Sequence, residues 1–438
     1  MSSRLLRVLG LVLGVALASA PAHAGGFGIP DIGVRRTAMG AVIGRPDEGA
    51  AIYHNPAGLV LQHGWHLYLS TGLVIVRSQF QLAPWDQSDR LLGATAGPDG
   101  YYAPIRPSRA MGAIPMLAVT GEILPGRLVL GAGLYVGNAQ GAAFASDAVT
   151  RYHLIDGYVV APQAVIAAAY RLGDAISVGG SVGVMNIRIH ERRDVFPIIN
   201  GMDASALIGT KPELVLDGSG WAPSWMLAVF GQPHGRLTWG ATLTGRVDAA
   251  LEGPIAITYS SDAGTPGDVL TGRQTTTQLL PYAFMAGANF DLTPHVELGG
   301  ETRYWLYRQY QKQHTDIEGI FLVRELDTIK NYHDSWQTSG GVRVHGLAAA
   351  PGLELMAGMH YDHTPSPSST LTLDQPTFNH IGLHTGVRWT VGRYRLGASY
   401  LHYWYDVPTV KDSTTSPPTN FRGDGATHIF TLSLEATL

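Results

Sequence analysis

Apolar and polar side chains alternate with a period of two along most of the chain after residue 64. The C-terminal stretch places Phe430 and Leu432 on one face and Thr431 and Ser433 on the other. Residues 381–391 and 236–246 show the same alternation. Runs of about ten residues with one apolar face and one small or polar face are typical of strands in a membrane β-barrel.

The sequence predicts an all-β fold, a transmembrane antiparallel β-barrel of about 14 strands. Tight turns such as Pro125-Gly126 alternate with long polar loops such as 78–110, as expected for periplasmic and extracellular ends. Apolar positions change parity between Val184 and Ile187, which predicts a bulge or kink within the fifth strand. The predicted strands are residues 65–77, 111–123, 126–138, 158–172, 175–190, 218–231, 236–250, 276–291, 295–310, 331–346, 352–364, 377–391, 393–406 and 425–438.

Residues 1–24 have the three parts of a cleavable secretory signal. Arg4 and Arg7 form the positive end, residues 8–20 are apolar, and Ala22-His23-Ala24 fits the cleavage site. The alternative of a membrane anchor is disfavoured, because a helix needs about 20 apolar residues to cross a bilayer. We therefore expect a mature chain that starts at Gly25.

Composition supports a membrane location and excludes several classes of protein. Charged residues make up 15% of the chain, against about 25% in soluble domains. The chain has no cysteine, so it is not a disulfide-stapled extracellular scaffold. A net charge of −4 gives no sign of a nucleic-acid partner.

The Gly-rich stretch 25–64 is too irregular for a strand and lacks the apolar stripe of a long helix. Because it lies between the signal and the first strand, it is interpreted as a plug, or hatch, inside the barrel. The predicted division is therefore a signal peptide (1–24), a hatch (25–64) and a β-barrel (65–438).

Three regions resemble the FadL/TodX family of outer-membrane transporters of long-chain fatty acids and hydrophobic hydrocarbons. The first contains Thr37–Gly40 and Ala51–Leu59, which ends in Asn-Pro-Ala-Gly-Leu. The second is Asn331–Trp336, similar to the family's Asn-Trp-x-Asp-[Ser/Thr]-Trp stretch. The third is Tyr361–Pro367, followed by a long strand.

The resemblance implies a fourteen-stranded barrel with an N-terminal hatch in the Gram-negative outer membrane. It further implies ligand capture at extracellular loops, passive passage through the lumen and lateral exit through the wall at an inward kink of one strand. By analogy that strand is the third, near 126–138. Which hydrophobic compound is carried is left open, and the alternative function is a general porin for small polar solutes.

Candidate functional residues fall into two groups. The hatch and gating group comprises Gly25, Gly26, Phe27, Gly28, Asn55, Pro56 and Ala57. Glycines give a flexible tail, whereas Asn-Pro fixes a turn through an Asn side chain that binds backbone two residues on. The ligand-capture group comprises Phe80, Leu82, Trp85, Leu91, Leu92, Arg106 and Arg109, in a loop with more apolar residues than solubility favours.

Charges of the hatch, such as Arg35 and Asp47, are expected to pair with lumen charges that include Glu297, Glu301, Arg303 and Arg388, or to stay solvated. No motif for a hydrolase, metalloprotease or phosphate loop is present. The prediction is a non-enzyme with no cofactor and no metal. Expected partners are hydrophobic small molecules, outer-membrane lipid and lipopolysaccharide, and the barrel-assembly machinery, with a monomer as the expected state.

Overall fold

The computed structural model describes residues 28–108, 111–196, 198–199, 202–203, 212–258, 269–320 and 323–438. Within them, fourteen antiparallel strands close into one barrel. The signal segment, Gly25, Gly26, Phe27 and Arg109 lie outside the described residues.

Ten strands are continuous and four are each interrupted once. The continuous strands are β1 (Trp65–Leu82), β2 (Met111–Leu124), β3 (Leu128–Ala143), β4 (Asp156–Arg171), β5 (Ile176–Asp194), β6 (Glu213–His234), β11 (Leu353–His363), β12 (Asn379–Val391), β13 (Tyr394–Asp406) and β14 (Phe421–Thr437). The interrupted strands are β7 (Leu237–Thr244, Val247–Thr258), β8 (Val269–Leu280, Ala283–Thr293), β9 (Val296–Trp305, Lys312–Glu318) and β10 (Glu325–Ile329, Ser335–Val344). A two-stranded hairpin pairs Ile198–Ile199 with Met202–Asp203.

Pairing between β1 and β14 closes the barrel, from His66 opposite Thr437 to Leu82 opposite Phe421. Every other strand pairs with its neighbours in the chain, so the predicted fold and strand number are confirmed. The long loops lie at one end and the tight turns at the other, which identifies the extracellular and periplasmic ends.

The two faces of the wall differ in polarity. Ile381, Leu383 and Leu432 are exposed on the outer surface, whereas His384 and Arg388 of the same sheet are buried inside. An apolar exterior over a polar interior is the reverse of a water-soluble barrel and suits a bilayer. Among the described residues, no helix has the length and apolar character needed to cross a membrane.

The predicted bulge in β5 is wrong. The β5–β6 register runs without a shift from Ile176 opposite Gly231 to Asp194 opposite Glu213. Ile187 and Ile189 are odd-numbered because they face inward, where they belong to an apolar section of the inner wall. The apolar residues thus move to the other face of a regular strand.

The N-terminal stretch 28–64, here called the luminal segment, lies inside the barrel. It contains α1 (Val34–Met39), α2 (Ala51–His54) and a 3-10 helix (Pro56–Leu61), almost all buried. Its polar groups reach several parts of the wall: Asn55 Nδ2 donates to the Val229 carbonyl of β6 at 3.1 Å. On the opposite side, the Thr37 carbonyl accepts from His384 of β12 at 3.1 Å. The remaining helices are α3 (Ser88–Leu92) and the 3-10 helices Tyr307–Gln309 and Ser368–Thr370.

Candidate functional site

Strand β3 leaves its neighbour β2 halfway along its length. The β2–β3 ladder ends at Met116 opposite Tyr135, although β2 continues to pair with β1 up to Met111. The β3–β4 register shifts between Val136 and Asn138, so Gly137 is an extra residue in β3. A bulge bends its strand, and residues 136–143 are almost all buried. The wall therefore has an inward kink in the third strand, the strand chosen by analogy with the family.

The start of the luminal segment contacts this kink. Ile29 N donates to the Gly137 carbonyl at 2.9 Å, and Gly28 forms an isolated β-bridge with Asn138. Tyr53 of α2 supports the contact, because its hydroxyl donates to the Ile29 carbonyl at 2.8 Å. Of the four predicted tail residues 25–28, only Gly28 lies within the described part of the chain.

A cavity of about 80 Å³ lies behind the kink, between the luminal segment and strands β3 to β9. Its wall includes Gly28, Gly137, Tyr135 and Trp305, together with Arg303. Arg303 Nε donates to Glu301 at 2.9 Å and its Nη2 lies 3.2 Å from His54 Nδ1. Its buried Nη1 has no hydrogen-bond partner among the described residues. The cavity thus combines apolar side chains with polar ones, among them Gln163 and Thr244, and with the buried guanidinium of Arg303.

Asn55 fixes the course of the luminal segment. Its Oδ1 accepts from Ala57 N at 3.2 Å, the bond to backbone two residues on that the sequence predicts. Its Nδ2 donates to the carbonyls of Ile43 at 3.0 Å and Val229 at 3.1 Å. Pro56 then begins the 3-10 helix that leads towards β1. Asn55 therefore joins two turns of the segment and the β6 wall.

Ion pairs hold the luminal segment against one side of the wall, as predicted. Arg36 Nη1 lies 2.9 Å from Glu301 of β9, and Arg35 also pairs with Glu297 of that strand. On β12, Arg388 Nη1 lies 2.8 Å from Asp47. All these groups are largely buried, so each charge depends on its partner.

Further partners of this network were not predicted. Arg45 binds Glu297 at 2.9 Å, and Arg343 pairs with Asp47 at 3.3 Å and Glu354 at 3.0 Å. Sequence reasoning named charges on β9 and β12 but missed those on β10 and β11. Strand position could have identified them, because both residues occupy inward-facing positions on the two strands between β9 and β12.

Asp291, Glu297 and His345 form the one group of three possible metal ligands within the described ranges. The two carboxylates already bind Arg45, at 2.7 Å from Asp291 and 2.9 Å from Glu297. Because an arginine already neutralises both carboxylates, the group is poorly suited to a cation.

The predicted capture residues pack together at the extracellular end. Phe80, Leu82, Leu91 and Leu92 are buried in one apolar cluster, and Trp85 packs against it. Arg106 does not join them, since it is exposed and donates to Gln79 Oε1 at 3.0 Å. The apolar residues of the predicted capture group therefore form the packed core of the extracellular loop, and Arg106 lies outside that core.

Next to this cluster lies a cavity of about 370 Å³ between the extracellular loops. It is lined by other residues, among them His153, Phe196 and Leu373, and by none of the predicted capture residues. Trp85 reaches its wall indirectly, with its ring 5.4 Å from that of His153. Burial lowers the pKa of His153 to about 3, so the imidazole that faces the cavity is neutral.

Comparisons with solved structures show the same fold. A Pseudomonas aeruginosa FadL homologue is 14% identical, with a TM-score of 0.80 over 94% of this chain and 99% of that chain. The Pseudomonas putida toluene transporter TodX is 14% identical, with a TM-score of 0.67 over 96% and 100% of the two chains. The CymD monoaromatic hydrocarbon channel is 13% identical, with a TM-score of 0.67 over 95% and 98%.

A search of the curated proteins found no match to this chain. The family model "Outer membrane protein transport protein (OMPP1/FadL/TodX)" matches residues 15–437. The resemblance and the outer-membrane location predicted from the sequence are therefore confirmed, and the general-porin alternative is set aside. This chain belongs to the OMPP1/FadL/TodX family of outer-membrane transport proteins.

Proposed function

We propose that this chain carries fatty acids or other hydrophobic compounds passively from the cell surface to a lateral exit beside β3. The observation that most directly supports this proposal is the kink at Gly137. There β3 turns inward and is no longer paired with β2, and the luminal cavity lies directly behind the break. The described part of the luminal segment, residues 28–64, is almost all buried inside the barrel and so stands between the extracellular cavity and a straight route to the periplasm.

Capture is proposed at the extracellular cavity and the apolar cluster beside it. Phe80, Leu82, Trp85, Leu91 and Leu92 support the cavity from behind, whereas His153 and Leu373 face it. The cavity wall is mixed, because Phe196 and Leu373 share it with charged residues such as Arg193. Apolar side chains would hold the chain or ring of a ligand, and polar groups would fix its orientation. Arg106 and Arg109 are proposed only as outer attractants for a charged head group.

Gating is proposed for the hatch, residues 25–64, behind a signal peptide at 1–24. Two backbone contacts to β3, at Gly28 and Ile29, are weak enough to break when ligand arrives. Asn55, Pro56 and Ala57 anchor the rest of the segment. Deleting residues 25–29 should therefore change the uptake rate without releasing the whole segment; His63→Ala, at the exposed other end, is the control.

The proposed function is tested by two assays on the full-length protein. Cells that produce it should take up labelled dodecanoate or toluene faster than cells that lack it. Purified protein in liposomes should admit no arabinose in a swelling assay, because the lumen is filled. Rapid sugar entry without hydrophobe uptake would refute the proposal.

Further partners are proposed for the outer surface of the barrel. The apolar outer band is expected to contact membrane lipid and lipopolysaccharide, and the alternating β14 strand to engage the barrel-assembly machinery. A monomer is proposed because one chain closes the barrel.

A further inference from the structure

The ladder between β6 and β7 is broken at mid-height. Met226 pairs with Thr244 below the break, and Ser219 pairs with Glu252 above it. Between these pairs, residues 220–225 of β6 and 245–251 of β7, all within the described part of the chain, are not paired with each other. Over the same span β6 stays paired with β5, and residues 247–251 stay paired with β8. The register differs by one residue on the two sides, so β7 contains an extra residue near Gly245.

The local sequence explains the break. Pro223 in β6 has no N–H to give to a ladder. Gly245 has no side chain, and its N–H donates to the Trp225 carbonyl at 3.0 Å. On the other side of β7, strand β8 is also interrupted, at Pro281. Prolines and an extra residue on adjacent strands thus weaken this section of wall.

The luminal cavity reaches this break. Trp225, Gly245 and Pro281 all line it, on the side opposite the β3 kink. Trp225 is also 36% exposed on the outer surface. Its indole covers Gly245 so closely that a Cβ there would lie 2.3 Å from the ring. The exposed indole of Trp225 therefore lies over Gly245, a residue of the cavity wall, and covers the seam from the lipid-facing side.

We propose that the seam between β6 and β7 is a second lateral port of the luminal cavity, closed by the Trp225 side chain. Rotation of one indole opens it, and a hydrophobic ligand then passes between the cavity and the bilayer. The outer surface around the seam is apolar, with Trp221 and Leu227 exposed. The proposal rests on the proposed transport function for its biological meaning.

The transport test uses a background in which the β3 exit is closed. Deleting Gly137 removes the extra residue of β3 and lets its ladder run in register. In that background Trp225→Ala is compared with Trp221→Ala, a tryptophan on the same strand and outer face that is 73% exposed and outside the cavity. Trp225→Ala should raise uptake of labelled dodecanoate or toluene severalfold, and Trp221→Ala should not. Equal rates in both variants would overturn the port.

A chemical test reports on the port without transport. The chain has no cysteine, so Met226→Cys places one thiol on the cavity wall. Its labelling by pyrene maleimide dissolved in the bilayer of proteoliposomes should be severalfold faster with Trp225→Ala than with Trp221→Ala. Heat-dependent gel mobility checks that each barrel is folded, and Trp225→Leu replaces the alanine variant if that variant fails to fold.

The two tests separate the two proposals. Faster labelling in Trp225→Ala, with no hydrophobe uptake by any variant, would keep the port and refute the transport function. Uptake by the wild type, with labelling that does not depend on Trp225, would refute the port and keep the transport function.

Discussion

Glu301 should decide whether the luminal segment stays seated. Its Oε1 accepts from Arg36 and from Arg303, both at 2.9 Å. Its Oε2 accepts from the backbone N–H groups of Val42 at 2.6 Å and Ile43 at 2.9 Å. A carboxylate with four acceptor positions is thus fully used. Glu301→Gln keeps the shape, removes the charge and turns an –NH2 group towards donors.

The expected cost follows from the burial of the network. Arg36, Arg303 and Glu301 are almost completely buried. Removing one partner of a buried ion pair costs about 3–5 kcal/mol. Since every 1.4 kcal/mol is a factor of ten, the population with a displaced segment should rise about 100- to 4000-fold. The barrel should remain closed, because its ladders are made by backbone groups that the substitution leaves unchanged.

Hydrogen exchange measures this population directly. The Val42 and Ile43 amides should exchange about 100- to 4000-fold faster in Glu301→Gln, while amides of β1 and β14 keep their protection. Glu318→Gln, at the exposed outer end of the same strand, is the matched control. Unchanged exchange at Val42 and Ile43 would show that Glu301 does not hold the segment, and the electrostatic argument would fail.

Three further predictions concern other parts of the route. Asn55→Ala removes three hydrogen bonds and should lower the free energy that holds the luminal segment in place by about 1–3 kcal/mol. The backbone amides of residues 43–57 should then exchange hydrogen faster, and unaltered exchange would contradict the anchoring role of Asn55. Arg303→Met should lower uptake of dodecanoate more than uptake of toluene. The free Nη1 is a donor for an oxygen head group, whereas the lost pair with Glu301 affects both ligands alike. Arg422→Met, at the extracellular rim, is the control, and equal loss of both ligands would refute the assignment. The folded-state pKa of His153 is about 3, below the usual 6.5, so the unfolded state takes up the proton first as the pH falls. The free energy of unfolding of the loop should therefore decrease between pH 6.5 and pH 3 by about 1.4 kcal/mol per pH unit. Limited proteolysis at pH 7 and pH 5 should show this loss in the wild type and not in His153→Phe, and equal protection at both values would contradict it.

The barrel was predictable because bilayer and lumen impose opposite demands on alternate residues. Phe430 and Leu432 face lipid and Thr431 faces the interior, so period two alone locates the strand. The same logic failed at Ile187 and Ile189, because this lumen is partly apolar. Whether the apolar residues of a strand have odd or even numbers indicates which face is lipid-facing only where the lipid-facing and luminal faces differ in polarity.

The candidate site was only partly predictable. Asn55 carries a local signal, since its bond to Ala57 needs no distant partner. The lining of the extracellular cavity carries none, because His153 and Leu373 come from loops far apart in sequence and meet only in the folded barrel. The breaks in β7 and β8 were missed for a related reason, since whether Pro281 interrupts a wall depends on the strand beside it.

The ion pairs of the luminal segment have a consequence for how the molecule is made. Arg36 and Glu301 are separated by 265 residues, and Glu48 and Arg388 by 340. Contacts so distant in sequence form late, because the chain between them must first be ordered. The part of the chain synthesised first therefore waits, with its charges solvated, until β9 and β12 exist. We therefore expect the luminal segment to be fixed last, so that its seating reports that the barrel around it is complete.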